Sequence, residues 1–275
     1  MKVSVLILTL NEEENLPGCL GSVIWSDDIV VFDSYSTDQT VEIAHSHGAL
    51  VIQKHFNGYA SQRNAALAVD FKHSWILMVD ADEQVTPELR REIELLPDGQ
   101  DNDYDLFRVR RKDFFMGRWL KRSSAYPTWF ARLLRKGAVH VEREINEEYI
   151  ARGKTGCLKE HLYHYPFNKG VSFWFERHNL YSSMEAMKLI EETTMRFPWR
   201  CILSKDPVIR RKVLKQLAYR LPGRPLLVFC YLYFIRLGLL DGGAGITYCV
   251  MRSVYEFMIN LKVLELRRQS QGNDV

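Results

Sequence analysis

Four short apolar runs alternate with amphipathic stretches along the first hundred residues, and this alternation limits the fold more than any other feature. The apolar runs, read as strands, are residues 3–10, 27–34, 49–54 and 75–80. The amphipathic stretches, read as helices, are residues 11–24, 36–48, 58–70 and 86–96. Strands that alternate with helices in this way predict an α/β fold of three layers, in which helices cover both faces of a parallel sheet.

The predicted helices begin at residues that commonly start helices. The first helix opens with glutamates, which the positive end of the helix dipole favours. The second has Ser36 or Thr37 as its N-cap, and the fourth has Thr86 as its N-cap followed by Pro87. We therefore expect the helices to start at these positions.

Composition excludes several classes of protein. Apolar residues make up 47% of the 275 residues, so the chain can form a core and is not disordered throughout. The five cysteines are scattered without a CxxC pair, which indicates neither a zinc site nor a disulfide framework and fits a reducing compartment. The first apolar run is about seven residues long and ends in acids, so a strand is favoured there over a signal peptide.

Polar residues follow three of the predicted strands. They are Thr9–Asn11, Asp33–Ser34 and Asp80–Asp82. In open α/β sheets, ligands bind beyond the carboxyl ends of the strands. Three polar clusters at one edge of one sheet therefore predict a binding site.

The pair Asp80 and Asp82 suggests a site for a hard cation. Carboxylate oxygens suit Mg²⁺ or Mn²⁺, which often share their ligands with substrate phosphates. A solvated loop is the alternative for such a pair. Asp33 is placed to accept a hydrogen bond from a nucleotide base or, alternatively, to cap the turn that follows it. Arg63 is placed to neutralise phosphate or, alternatively, to form an ion pair on the helix surface.

Four segments together resemble a known family. The segments "VLILTLNEEENL", "VVFDSYSTDQT", "SQRNAAL" and "ILMVDADE" resemble, in order and spacing, the successive motifs of family 2 glycosyltransferases with the GT-A fold. The resemblance implies transfer of a sugar, with inversion, from a nucleotide-diphosphate donor of the UDP-sugar type.

The resemblance also implies roles for individual residues. Thr9, Asn11 and Glu12 would line the nucleotide pocket. Asp33 would contact the base, Arg63 the base or a phosphate, and Asp80 the ribose. Asp82 would hold Mg²⁺ or Mn²⁺ against the diphosphate.

A later segment resembles the acceptor side of a subset of the family. "RLLRKG" and "INEEYIARGKTGCL" resemble segments of lipopolysaccharide-core and capsule glucosyltransferases. Those relatives usually have Val-His-Glu where this chain has Ile145-Asn146-Glu147. The likeness makes Glu147 the candidate for the catalytic base that removes the acceptor hydroxyl proton. A solvated acidic face is the alternative, and the neighbouring candidates are Glu148, Glu144 and Glu142.

The pattern becomes mixed after residue 104, and we expect shorter strands that extend the sheet. These complete a GT-A catalytic domain over residues 1–165, followed by a helical region over residues 166–275. His140, His161 and His164 lack the spacing of a metal cluster, and strand-face or hydrogen-bonded histidines are favoured. In the helical region the spacing of Trp174, Phe175 and Tyr181 favours packing in the core over sugar stacking.

The end of the chain combines basic and apolar segments. Nine Lys or Arg and a single acid lie between residues 196 and 224. Apolar stretches follow at 225–240 and 244–264, separated by "DGGAG". They resemble the membrane-proximal tail of bacterial exopolysaccharide and glycolipid enzymes, and predict interfacial or re-entrant helices on an anionic membrane surface, not a nucleic-acid site. A buried helical hairpin or a homodimer interface is the alternative.

The sequence thus predicts a metal-dependent hexosyltransferase at the cytoplasmic face of the bacterial inner membrane. It would act on a lipid-linked saccharide acceptor in lipopolysaccharide or exopolysaccharide biosynthesis. A rival within the family is a polyprenyl-phosphate sugar synthase, which needs no hydroxyl base. Rivals from other classes are a nucleotidyltransferase and a non-enzymatic membrane scaffold with a decayed nucleotide site.

Overall fold

A computed structural model describes residues 1–97, 103–142, 148–194 and 223–272. The chain forms two compact units. The first unit comprises Met1–Trp119 and Tyr126–Lys169, and the second comprises Leu120–Ala125 and Gly170–Val275. The domain boundary after residue 165 stays a prediction, and the assignment of Leu120–Ala125 to the second unit was not foreseen.

Within the described part of the first unit, nine strands form one mixed sheet and two more form a separate hairpin. The strands are β1 Ser4–Thr9, β2 Ile29–Asp33, β3 Leu50–Gln53, β4 Trp75–Asp80, β5 Glu83–Val85, β6 Tyr104–Phe115, β7 Arg118–Trp119, β8 Thr128–Arg135, β9 Val139–Glu142, β10 Glu148–Ala151 and β11 Lys154–His164. The strand order is β3-β2-β1-β4-β8-β6-β11-β5, β7 pairs with β6, and β9 pairs with β10.

The first four strands of that order are parallel to one another, as predicted. Beyond them β8 is antiparallel to both β4 and β6, and β11 runs parallel to β6 but antiparallel to β5. The extension of the sheet by later strands is confirmed. The expectation that these strands are short is wrong for β6, which has 12 residues.

Alternating residues of the central strands build two separate cores. Val5 and Ile7 of β1 belong to one hydrophobic cluster, whereas Leu6 between them belongs to the other. The first cluster also contains residues of the helices α1 Leu16–Val23, α2 Thr40–Ser46 and α4 Pro87–Leu95, and the second contains residues of α3 Tyr59–Leu67. Successive side chains of a strand point to opposite faces, so helices cover both faces of the sheet and the predicted three-layer fold is confirmed.

Two predicted helix starts are wrong. The first helix begins at Leu16, because the peptide N–H groups of Asn15 and Leu16 bond to the carbonyl of Glu12 and place the glutamates in a turn before the helix. The second helix begins after Gln39, and neither Ser36 nor Thr37 caps it. The cap at Thr86 is confirmed, since its side chain accepts the N–H of Leu89 at 3.2 Å.

The second unit is helical in its described residues. Its helices are α5 Gly170–Thr194, α6 Arg224–Cys230 and α7 Gly242–Ser270, with a π-helical turn at Tyr231–Ile235 and a 3₁₀ turn at Gly238–Asp241. The predicted core position of Trp174 is confirmed, since it is buried and stacks on His178 with ring centroids 3.5 Å apart. The prediction is wrong for Phe175, which is exposed.

Asp241 ties the segment Leu120–Ala125 to these helices. Its Oδ2 accepts hydrogen bonds from the backbone N–H groups of Arg122 and Ser123, at 2.9 and 2.8 Å, and from the Ser123 hydroxyl at 2.8 Å. Asp241 is buried, so each of these donors stabilises its charge.

The break between the apolar segments lies earlier than predicted. "DGGAG" begins α7, and the chain turns instead at Leu237, whose φ is +59°. None of the helices in the described ranges is by itself long and apolar enough to cross a membrane. Only Arg224–Ile235 and Gly238–Ser270, bent by 72° at the break, have the required length and composition when they are taken together.

Gly245 is required where α7 passes the 3₁₀ turn. A Cβ at this position would lie against the carbonyl oxygen of Gly238 and 2.6 Å from the Cβ of Asp241. We expect Gly245→Ala to reduce the free energy of unfolding by about 1–3 kcal/mol, because an overpacked site must shift backbone. Gly243→Ala is the matched control, since its Cβ would meet no atom within 4 Å. Urea unfolding followed by circular dichroism checks this, and equal midpoints for the two variants would contradict it.

Candidate functional site

Strand register brings the predicted polar ends together. Thr9 of β1 pairs with Asp33 of β2, and Leu8 pairs with Asp80 of β4. The carboxyl ends of three neighbouring parallel strands therefore lie at one edge of the sheet. This edge is where open α/β sheets bind ligands.

Asp33 is fully buried and organises the turn after β2. One carboxylate oxygen accepts the hydroxyl of Thr9 at 2.9 Å and the hydroxyl of Ser36. The other accepts the N–H of Ser36 at 2.9 Å and Nε2 of Gln53 at 3.0 Å. The alternative reading of Asp33 as a turn-capping residue is thus observed, and contact with a nucleotide base stays a prediction.

Asn11 and Glu12 leave the end of β1 in fixed positions. Asn11 has a φ of +54°, and its Oδ1 accepts the N–H of Thr37 at 2.7 Å. Glu12 accepts Nδ2 of Asn15 at 2.8 Å and lies 2.6 Å from Nζ of Lys169. Burial raises the pKa of Glu12 although both partners lower it. Lys169 is 157 residues away in sequence, so the sequence analysis did not find this pair.

Asp80 is held between two guanidinium groups. Arg63 lies 3.4 Å from Oδ1, and Arg132 contacts Oδ2. Burial by itself would raise the pKa of Asp80, but Arg132 and then Arg63 outweigh it and hold that pKa well below the ordinary value. Arg132 also lies 2.7 Å from Oε1 of the fully buried Glu83. The ion pair of Arg63 therefore connects to the strand ends, not to its own helix surface.

A β-bulge aims Arg132 at these carboxylates. In the β6–β8 ladder, Phe107 pairs with Leu133 and the next residue, Arg108, pairs with Ala131. Arg132 is thus the extra residue, and a bulge redirects a side chain in this way. The sequence analysis quoted Arg132 within "RLLRKG" but did not single it out.

Asp82 faces a histidine that the sequence analysis did not assign to the site. Nε2 of His164 lies 3.3 Å from Oδ2 of Asp82, and Nδ1 of His164 lies 2.7 Å from Oδ1 of Asp113. Burial and Arg111 would lower the pKa of His164, but the two carboxylates raise it to about 9. Burial would raise the pKa of Asp82, and His164 lowers it overall.

This arrangement fits a divalent cation with few protein ligands. Metal-binding histidines usually present one ring nitrogen to the ion and the other to a carboxylate, as His164 does toward Asp82 and Asp113. Within the described ranges no group of three or more His, Cys, Asp or Glu has the arrangement of a metal site. Mg²⁺ and Mn²⁺ commonly complete their shells with water and substrate phosphates, so Asp82 and His164 suffice as protein ligands.

A pocket of about 420 Å³ lies beside Asp80 in the first unit. It is lined by Arg63, Asp80, Arg108, Arg111, Trp129, Phe130, Ala131, Arg132, Glu148 and Tyr149. Glu147 and Glu144 lie outside the described residues. Of the other candidate bases, Glu148 lines this pocket, whereas Glu142 is 3.0 Å from Nε2 of His140.

Comparison with known proteins identifies the family. The model of the family described as "Glycosyl transferase family 2" matches residues 4–157, more than half of the chain. The chain belongs to glycosyl transferase family 2. The match includes all three strand ends, α3 with Arg63, and the bulge at Arg132. The predicted family is confirmed, and with it the activity of a glycosyltransferase.

Curated relatives in the family extend over most of the chain. An uncharacterized glycosyltransferase of Rickettsia bellii is 32% identical over 203 residues, which cover 70% of this chain and 68% of the relative. The lipopolysaccharide core biosynthesis glycosyltransferase LpsC of Rhizobium meliloti is 27% identical and is aligned over 96% of this chain and 93% of its own.

A solved glycosyltransferase shares the fold. The mannosyltransferase PcManGT of Pyrobaculum calidifontis, solved with GDP-Man and Mn²⁺, has a TM-score of 0.51 and 14% identity. The likeness covers 96% of this chain and 87% of PcManGT. Together with the family match, it confirms the predicted GT-A fold.

Proposed function

We propose that this protein is an inverting, metal-dependent hexosyltransferase that moves a sugar from a UDP-sugar to a lipid-linked glycan in bacterial lipopolysaccharide or exopolysaccharide biosynthesis. The observation that carries the proposal is the register of β1, β2 and β4, which gathers Thr9, Asp33 and Asp80 at one sheet edge. The similarity to LpsC over nearly the whole chain supports the lipopolysaccharide part.

Each strand end has a separate task in this proposal. Thr9, Asn11 and Asp33 shape the wall that receives the base, and Asp80, held in place by Arg63 and Arg132, accepts hydrogen bonds from the ribose. A glutamate of the segment after β9 removes the acceptor hydroxyl proton while that hydroxyl attacks the sugar from the face opposite the leaving diphosphate. Glu147 is the first candidate, and Glu148, which lines the pocket beside Asp80, is the second.

Asp82 and His164 would hold the Mg²⁺ or Mn²⁺ ion. When it is bound, the ion neutralises charge on the leaving diphosphate. Asp113 keeps the imidazole of His164 oriented toward Asp82. Glu12, paired with Lys169, adds a further fixed carboxylate to the same edge.

We expect Asp82→Asn to abolish the metal dependence of nucleotide binding, because the ion loses its charged ligand. Calorimetry with UDP, with and without Mn²⁺, measures this. Asp70→Asn is the matched control, since Asp70 is a fully exposed carboxylate paired only with Lys136 among the contacts of the described residues. Metal-dependent affinity that is unchanged in Asp82→Asn would refute the assignment.

The second unit supports a membrane-bound acceptor. Its break region and α7 carry many exposed large apolar side chains, among them Leu226, Phe234, Ile235, Leu240 and Phe257. Residues 196–222 of the basic segment lie outside the described residues, and their nine-residue basic excess, completed by Arg224, is a feature of the sequence. Basic residues near an anionic membrane each add about 1 kcal/mol of attraction. We therefore place the enzyme at the cytoplasmic face of the inner membrane, where lipid-linked acceptors are accessible.

We expect the full-length protein to sediment with phosphatidylglycerol vesicles and to be partly released by salt. The double variant Phe234→Glu/Ile235→Glu should remain in the supernatant, because it places charge where apolar side chains would enter the interface. Leu95→Glu, at an equally exposed apolar residue of the first unit, is the control and should still sediment. If the wild-type protein ignores the vesicles and forms a stable dimer, the apolar surface is a dimer interface instead.

A further inference from the structure

The pocket beside Asp80 carries an excess of positive charge. Four arginines line it, against the two carboxylates of Asp80 and Glu148. Arg63, Arg132 and Arg111 all contact carboxylates of the first unit. Arg108 differs from them: it is exposed, and in the described part of the chain no carboxylate lies within ion-pair distance of it. An arginine that faces a pocket in this way is available to bind an anionic group through two parallel hydrogen bonds.

Aromatic side chains form the rest of the wall. Trp129, Phe130 and Tyr149 line the pocket, and Trp129 is 38% exposed. Arg108 pairs with Ala131 across the β6–β8 ladder, and Arg110 pairs with Trp129, so Arg108 and Trp129 are diagonal neighbours on one face. The volume of about 420 Å³ suits a small ligand. A sugar ring packed on the indole would place a charged substituent within reach of Arg108.

The lining favours the acceptor over the nucleotide. Of the six residues predicted to bind the nucleotide sugar, only Arg63 and Asp80 line the pocket. Glu148, a candidate base, lines it as well, and a base must lie within hydrogen-bond reach of the acceptor hydroxyl.

We propose that this pocket is an acceptor subsite for an anionic saccharide, a sugar that bears a phosphate or a carboxylate, and that Arg108 selects for that charge. The inference rests on the proposed function and names the class of its acceptor. It assigns Arg108 to specificity and not to donor binding or to proton transfer.

Ligand-observed NMR with three matched probes tests the proposal. The probes are methyl β-glucoside, methyl β-glucuronide and methyl β-glucoside 6-phosphate, which differ only at C6. We expect at least one charged probe to bind about tenfold tighter than the neutral one, with the advantage falling as salt is added. Comparing the two charged probes decides between carboxylate and phosphate. Saturating UDP and Mn²⁺ should leave the preference intact.

Arg108→Gln should remove the preference, and Arg91→Gln, at an exposed arginine on α4, should keep it. Equal affinities of all three probes for the wild-type protein, or a preference that survives in Arg108→Gln, would overturn the proposal. Displacement of the charged probes by UDP would also overturn it, because the arginines would then serve the donor diphosphate. A failure of the proposed function itself would be seen separately, as UDP binding that does not depend on Mn²⁺.

Discussion

Glu147→Gln is expected to lower kcat by about 10²–10⁴-fold, which is the usual contribution of a positioned general base. The KM for the donor should change little, because the amide retains the shape of the side chain and the donor is bound elsewhere. The assay follows release of UDP from a panel of UDP-sugars with membrane extract as the acceptor source. The expectation rests on the sequence resemblance, since Glu147 lies outside the described residues.

Glu148→Gln and Glu142→Gln are the comparison variants. Glu148 lines the pocket beside Asp80, so a large loss in Glu148→Gln with little loss in Glu147→Gln would move the base by one residue. Glu142 is next to His140, and its substitution should have little effect. Full activity in all three variants would favour a polyprenyl-phosphate sugar synthase, whose phosphate acceptor needs no such base.

The sheet and its binding edge could be predicted because both follow from local sequence. Apolar runs of four to eight residues separated by amphipathic stretches determine the strands, and parallel connections place their carboxyl ends at one edge. The grouping of Thr9, Asp33 and Asp80 needed no knowledge of distant contacts. Fold and family were therefore accessible from the first 83 residues.

The partners of the site residues could not be predicted in the same way. Lys169 reaches Glu12, and His164 reaches Asp82, across most of the first unit. Arg132 reaches Asp80 only because a bulge turns it there, and no residue in "RLLRKG" marks a bulge. Such contacts depend on the register of strands far apart in sequence, which hydrophobic periodicity does not encode.

The apolar tail illustrates a different limit. Glycines were read as the break between two segments, but Gly245 is needed inside a helix, where α7 passes close to the carbonyl of Gly238. Glycine marks close approach as often as it marks a turn. The chain turns instead at Leu237, a residue type that seldom adopts positive φ.

Arg132→Met should reduce the free energy of unfolding by about 3–5 kcal/mol, the range seen when one partner of a buried ion pair is removed. The side chain of Arg132 is 4% exposed, and methionine would leave Glu83, which is fully buried, and Asp80 without their shared cation. Arg111 and Arg63 remain, each 3.4 Å from one of these carboxylates, so the lower end of the range is expected.

Urea unfolding of Arg132→Met, Glu83→Gln and the double variant measures the coupling. The double variant should be more stable than the sum of the single effects predicts, because residues in one ion-pair network are not independent. Arg91→Met, an exposed substitution of the same kind, should change the free energy of unfolding by less than about 0.5 kcal/mol. If Arg132→Met unfolds at the same urea concentration as Arg91→Met, Arg132 does not hold the strand ends together. The fixed position proposed for Asp80 would then need another cause.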